Sequence, residues 1–147
     1  MALVPYIENE RLPFYAKFVF RNFVNAVPMR MLIHSYNTLL GGVLSHRLGL
    51  EGNETTLICS APEECRLPDE TNYDLFLFIT DTPFTCSEPV LRLIRNRQRV
   101  CILSSVHNES VVLSAYRMGV LSYLSLPVNI GYLIRKIRNL QWRITIC

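Results

Sequence analysis

The sequence lacks the residue spacings from which metal sites and redox centres are built. Its three histidines (His34, His46, His107) and five cysteines (Cys59, Cys65, Cys86, Cys101, Cys147) are scattered, with no CxxC pair and no ligand spacing between them. A structural metal or a catalytic dithiol is therefore not expected. The odd, irregular set of cysteines fits reduced thiols buried as small hydrophobes. A thiol redox sensor is the less favoured reading, with Cys147 the thiol expected to be most exposed. Lysine is almost absent: only Lys17 and Lys136 stand among 15 basic residues. Arginine supplies the rest, and it is the cation favoured at interfaces and for planar anions. The net charge of +3 is too small to make the whole chain a nucleic-acid binder. No apolar run approaches the roughly 20 residues that cross a bilayer. The opening Met1 to Pro5 lacks the charged leader and apolar run of a signal peptide, so the expected compartment is the cytoplasm. Repeats, charge blocks and low-complexity tracts are missing as well.

What is present is apolar. Half of the 147 residues are hydrophobic and the mean hydropathy is +0.20. That suits one domain with a large core, or one that keeps apolar surface for a partner. The chain divides near Pro28 into an N-terminal extension (1–28) and an alternating body (29–147). In the body, Arg30–His34 is a short buried strand that feeds a helix from Leu39 to Leu48, capped by Ser35, Asn37 or Thr38. Glu51-Gly52-Asn53 makes a turn into a second strand, Thr55–Cys59. A short helical piece spans Pro62–Leu67. Asp74–Thr80 is an almost unbroken apolar strand, the mark of a parallel sheet covered on both faces. Further on come a helix at Pro89–Arg97 and a strand at Val100–Ser104. A helix at Asn108–Met118 with an Asn108 cap and a Gly119 stop follows. The last elements are a strand at Val120–Leu124 and a helix from Asn129 to about Leu140. Five strands alternating with helices give a parallel α/β sheet with right-handed crossovers.

Three stretches carry a resemblance. Met29-Arg-Met-Leu-Ile-His-Ser-Tyr-Asn37 and Tyr73-Asp-Leu-Phe-Leu-Phe-Ile79 are the first two. The most specific is Val100-Cys-Ile-Leu-Ser-Ser105, followed by a helix region closing Tyr116-Arg-Met-Gly-Val120 and by Tyr123-Leu-Ser-Leu-Pro127, with Ala115 and Gly119 as its small residues. Together they resemble the receiver domain of two-component response regulators, over roughly Met29 to Leu140. The resemblance implies a five-stranded, doubly wound, flavodoxin-like sheet with a functional rim at the carboxyl ends of the strands. An extra helix is expected in the N-terminal extension.

The family's rim holds an acidic pair after the first strand and an acceptor aspartate after the third. A hydroxyl follows the fourth strand and a lysine the fifth. Phosphotransfer there rests on positioning and on a magnesium ion held by carboxylates. By resemblance, the acidic pair is replaced by Ser35 and Tyr36, the acceptor by Ile79 and the lysine by Leu126. Ser104 keeps the hydroxyl and Pro127 the proline. Asp81 becomes the acceptor only if the third strand is two residues longer than usual. Tyr123 stands where the family's aromatic senses the fourth-strand hydroxyl. No catalytic residue, metal or cofactor is expected on this reading.

The flanks carry the partner-binding candidates. On a helix, Pro13–Val27 confines Lys17, Arg21 and Asn25 to a narrow stripe and leaves Phe14, Phe18, Phe20 and Phe23 to be covered. Such a helix either packs on its own domain or docks on a partner; a membrane-surface helix is weakened by having only two cations. Arg135, Lys136 and Arg138, with Arg143 beyond, form a basic patch on the last helix, next to the surface through which the family pairs. The expected function is a phosphorylation-independent interaction module in signalling or transcription regulation, working as a homodimer or on a protein partner. Contact with DNA would then be indirect, through an output domain or a partner. The alternative is a small-molecule sensor that cradles a nucleotide or phosphate at Ser35, Asn37 and Thr38.

Overall fold

The computed structural model describes residues 28–60, 72–81, 88–106, 108–126 and 129–146. They form β1 (Arg30–Ser35), α1 (Thr38–Leu50), β2 (Glu54–Cys59), β3 (Leu75–Thr80), α2 (Glu88–Arg95), β4 (Val100–Ser104), α3 (Glu109–Met118), β5 (Ser122–Ser125) and α4 (Ile130–Ile146). The expected N-terminal helix and the piece at Pro62–Leu67 lie outside the described residues. So do Pro127, His107, Cys65, Cys86 and Cys147.

β3 explains the layering. Its run Leu-Phe-Leu-Phe-Ile is buried throughout, because it lies at the centre of a parallel sheet ordered β2-β1-β3-β4-β5. The pleat sends Leu75, Leu77 and Ile79 to one face and Phe76 and Phe78 to the other. On the first face they join Met31, Ile33, Cys101 and Leu103 beneath Leu44 and Leu48 of α1 and Leu133, Ile134, Ile137 and Leu140 of α4. On the second, Leu32, Ile102 and Tyr123 are covered by Val90 and Leu93 of α2 and Ala115 of α3. The expected doubly wound architecture is therefore present.

Local chemistry sets the helix ends. Asn37 is the cap chosen at α1, its side chain accepting from the Leu40 N–H at 2.9 Å. Asn108 caps α3 in the same way, accepting from Val111 at 3.0 Å. Gly119 closes α3 at φ 112°, a left-handed conformation that favours glycine. Because the Val120 N–H still bonds back to the Ala115 carbonyl, that residue belongs to the helix stop. β5 therefore starts at Ser122 and not at Val120 as the sequence suggests.

α4 is longer than expected, reaching Ile146 and not Leu140. Its last turns are held by long-range contacts. Gln141 is buried and donates to Asn53 Oδ1 at 2.9 Å, and Ile144 packs on the first core face. Asn53, apparently a plain turn residue, is a hub. Its Oδ1 also accepts from Met29 N at 3.0 Å, and its Nδ2 donates to the Leu48 carbonyl at 3.1 Å. One buried carboxamide thus ties the start of β1, the end of α1 and the end of α4 together.

Gly41 lets α1 lie close over β1. A Cβ at this position would come within 2.8 Å of Ser35 Cβ and 3.0 Å of Leu57 Cδ1. Gly41→Ala is accordingly expected to cost about 1–3 kcal/mol through overpacking, measured by urea unfolding. A cost near zero would mean that α1 stands farther from the strand than this.

Candidate functional site

The carboxyl ends of β1, β3 and β4 finish level, which brings the rim residues together. Ile79 pairs with Ser35 of β1 and with Leu103 of β4, and Thr80 pairs with Ser104. This register puts Ile79 opposite Ser35, and its side chain is only 1% exposed. Asp81 is exposed and lies one residue past the end of β3.

The other rim side chains are equally committed. Ser35 is fully buried; its hydroxyl donates to the Asn37 carbonyl at 2.7 Å and accepts from the Asn37 N–H at 3.0 Å. Tyr36 is half-buried against the first core face, with its N–H on the Ile79 carbonyl at 3.2 Å. Leu126 is buried in the same core, and its N–H donates to the Ser104 carbonyl at 2.8 Å.

These residues do not fit a magnesium ion. Such an ion needs carboxylates together with room for several waters, and Ser35, Ile79 and Leu126 offer neither. Among the described residues, no group of three or more His, Cys, Asp or Glu side chains is placed to hold any metal. The phosphate-cradle arrangement at the first loop is also turned inward. Ser35 is spent on Asn37, Asn37 is spent capping α1, and only Thr38 of the three is open to water.

Ser104 and Tyr123 do meet, through one residue. The Ser104 hydroxyl accepts from the Val106 N–H at 3.0 Å, while the Tyr123 hydroxyl donates to the Val106 carbonyl. The Tyr123 N–H, on the open edge strand β5, donates in turn to the Tyr116 hydroxyl of α3 at 3.0 Å. Tyr123 is therefore held inward at both ends by neutral partners.

Beside Tyr123 the protein has a groove that the sequence alone did not reveal. It has a volume of about 1010 Å³ and runs along β5 between α3 and α4, where Tyr116, Tyr132, Lys136, Asn139, Trp142 and Arg143 line it. The spacing Tyr132, Lys136, Asn139, Arg143 is one stripe of a helix, and this was the available signal. Lys136 Nζ lies 5.3 Å from the centre of the Tyr132 ring, and Arg135 Cζ lies 6.0 Å from it. The expected basic patch is divided. Arg135 and Lys136 gather at Tyr132, whereas Arg138 forms an ion pair through two nitrogens with Glu51 at the end of α1. Phe14, Phe18, Phe20 and Phe23 lie outside the described residues.

Two further groups matter for measurement. His34 is buried on β1, with Nε2 2.8 Å from Ser60 Oγ and its ring centre 5.8 Å from that of Phe78. Burial lowers its pKa below the ordinary 6.5. The Cys101 thiol is buried, which pushes its pKa up to about 12 despite an opposing hydrogen bond from Ser122. Cys59, by contrast, is exposed.

No family model matches the chain, and no curated protein does. Solved structures do. The non-phosphorylated HemR receiver domain from Leptospira biflexa superposes with a TM-score of 0.63 at 16% identity, over 77% of this chain and 92% of that one. The receiver domain of Francisella response regulator 1452 gives 0.59 at 19% identity, over 80% and 98%. The BeF3-activated receiver domain of Klebsiella pneumoniae RstA gives 0.59 at 14%, over 74% and 95%. This chain has the fold of response-regulator receiver domains.

The unfolded His34 binds its proton first as pH falls, because its pKa is the higher of the two states. Stability is therefore complete above about pH 6.5 and is lost below it. Thermal melting should show this loss, and His34→Phe should reduce it; an unchanged slope in the variant would remove His34 as its source. In alkylation of the native protein followed by peptide mapping, Cys59 should react and Cys101 should react only after unfolding. Rapid native labelling of Cys101 would contradict its burial.

Proposed function

We propose that this chain is a receiver-like interaction module that works in signalling or transcription regulation without being phosphorylated. The observation that carries this reading is the rim itself. Ile79, in register with Ser35, is buried where the acceptor would be, and Leu126 is buried where the lysine would be. A phosphoryl group concentrates negative charge on its oxygens and needs cations around it. Apolar side chains in those places stabilise neither the group nor a metal beside it. Asp81 alone cannot replace them, because it stands in water without acidic neighbours from β1.

Without a switch at the rim, binding falls to the groove along β5. It combines exposed aromatic surface (Tyr116, Tyr132) with Lys136 and Arg143, and aromatic anchors ringed by cations suit a protein partner that carries carboxylates. A second copy of the chain is one such partner. No helix among the described residues is long and apolar enough to cross a membrane.

Incubation with Mg²⁺ and acetyl phosphate should leave the intact mass unchanged. Addition of one phosphoryl group, mapped to Asp81, would overturn the reading. Lys136→Glu should weaken self-association or partner capture in sedimentation by about tenfold, without changing the melting temperature.

A further inference from the structure

The outer face of α1 has no cover among the described residues. This helix of 13 residues carries one formal charge, Arg47. Leu39 is 78% exposed, Leu50 70% and Val43 39%. The three lie along one side of the helix at helical spacing, with the exposed His46 among them as the one polar side chain. An apolar stripe on the outer side of a helix whose opposite side is already buried is normally covered as well.

The glycines point the same way. Gly41 is explained by the approach of Ser35, but a Cβ on Gly42 or Gly49 would meet nothing within 4 Å. Glycine is a poor helix former, so its use twice on an open face calls for a reason. Room for large side chains laid across the helix is such a reason.

The chain supplies a cover at the right place. It enters β1 beside the C-terminal end of α1, where Asn53 joins the Met29 N–H to the Leu48 carbonyl. The described chain therefore begins at the C-terminal end of α1, two residues from Leu50 along that helix. Residues 13–27 contain only two charges, Lys17 and Arg21, against five aromatic rings. As a helix they would extend about 22 Å, against about 20 Å for α1. We propose that residues 13–27 fold back along the outer face of α1 and set their phenylalanine rings against Leu39, Val43 and Leu50. The segment then runs in the same direction as α1, from the rim to the opposite end of the sheet. This arrangement is independent of what occupies the groove on β5.

Photo-cross-linking of the full chain tests it. With Val43→benzoylphenylalanine, irradiation of a mixture of isotopically light and heavy protein should join position 43 to peptides within 13–27 of the same copy. Leu113→benzoylphenylalanine on α3 should not do so. Links to a second copy, to added phosphatidylcholine–phosphatidylglycerol vesicles, or to no part of 13–27 would each overturn the proposal. In hydrogen–deuterium exchange, Leu39→Glu should speed exchange in 13–27 by about tenfold while β3 stays protected. Unchanged exchange in 13–27 would overturn it too, and Leu50→Glu reads the same contact from the other end.

Discussion

At the carboxyl end of β3, the Ile79 side chain is withdrawn from water between Ser35 on one side and Leu103 on the other. An ionised carboxylate there would lose several kcal/mol of hydration and recover it only with cations and donors close by. Among the described neighbours none is available, because each is engaged elsewhere: Ser35 with Asn37, Leu126 with the core, Tyr36 with the Ile79 carbonyl. The rim is thus a continuation of the hydrophobic core, closed by backbone hydrogen bonds.

That closure bears on Tyr123. The Val106 carbonyl accepts from its hydroxyl and the Val106 N–H donates to Ser104, so the aromatic and the fourth-strand hydroxyl are joined through the backbone of one residue. Tyr116 fixes the other end of the same residue. The tyrosine's position, and with it one wall of the β5 groove, is therefore built into the resting fold. A surface shaped in this way is already formed before any partner arrives, which favours the proposed reading of a binding module.

The order of elements was legible in the sequence because strand and helix periodicities are strong and caps such as Asn108 and Gly119 are unambiguous. That Ser35, Ile79 and Leu126 would share a rim was also legible by resemblance, and the strand register puts Ile79 opposite Ser35 and Asp81 past the strand end. What stayed hidden was long-range. Asn53 looks like a turn residue, and only its three partners make it a hub. The end of α4 depends on Gln141 reaching that hub. Arg138 looks like one more cation of a patch until Glu51, far away in sequence, claims it. The groove escaped notice for the same reason, since its walls come from α3, β5 and α4 and no single segment displays it.

The claim on which this account rests is that the rim holds no ion. The direct measurement is an NMR titration of the ¹⁵N-labelled chain with Mg²⁺, compared at equal ionic strength with NaCl. The amides of Tyr36, Thr80, Asp81 and Val106 should respond alike to both salts. Saturable, Mg²⁺-specific shifts at these amides would show a working cation site at the end of β3 and contradict the account.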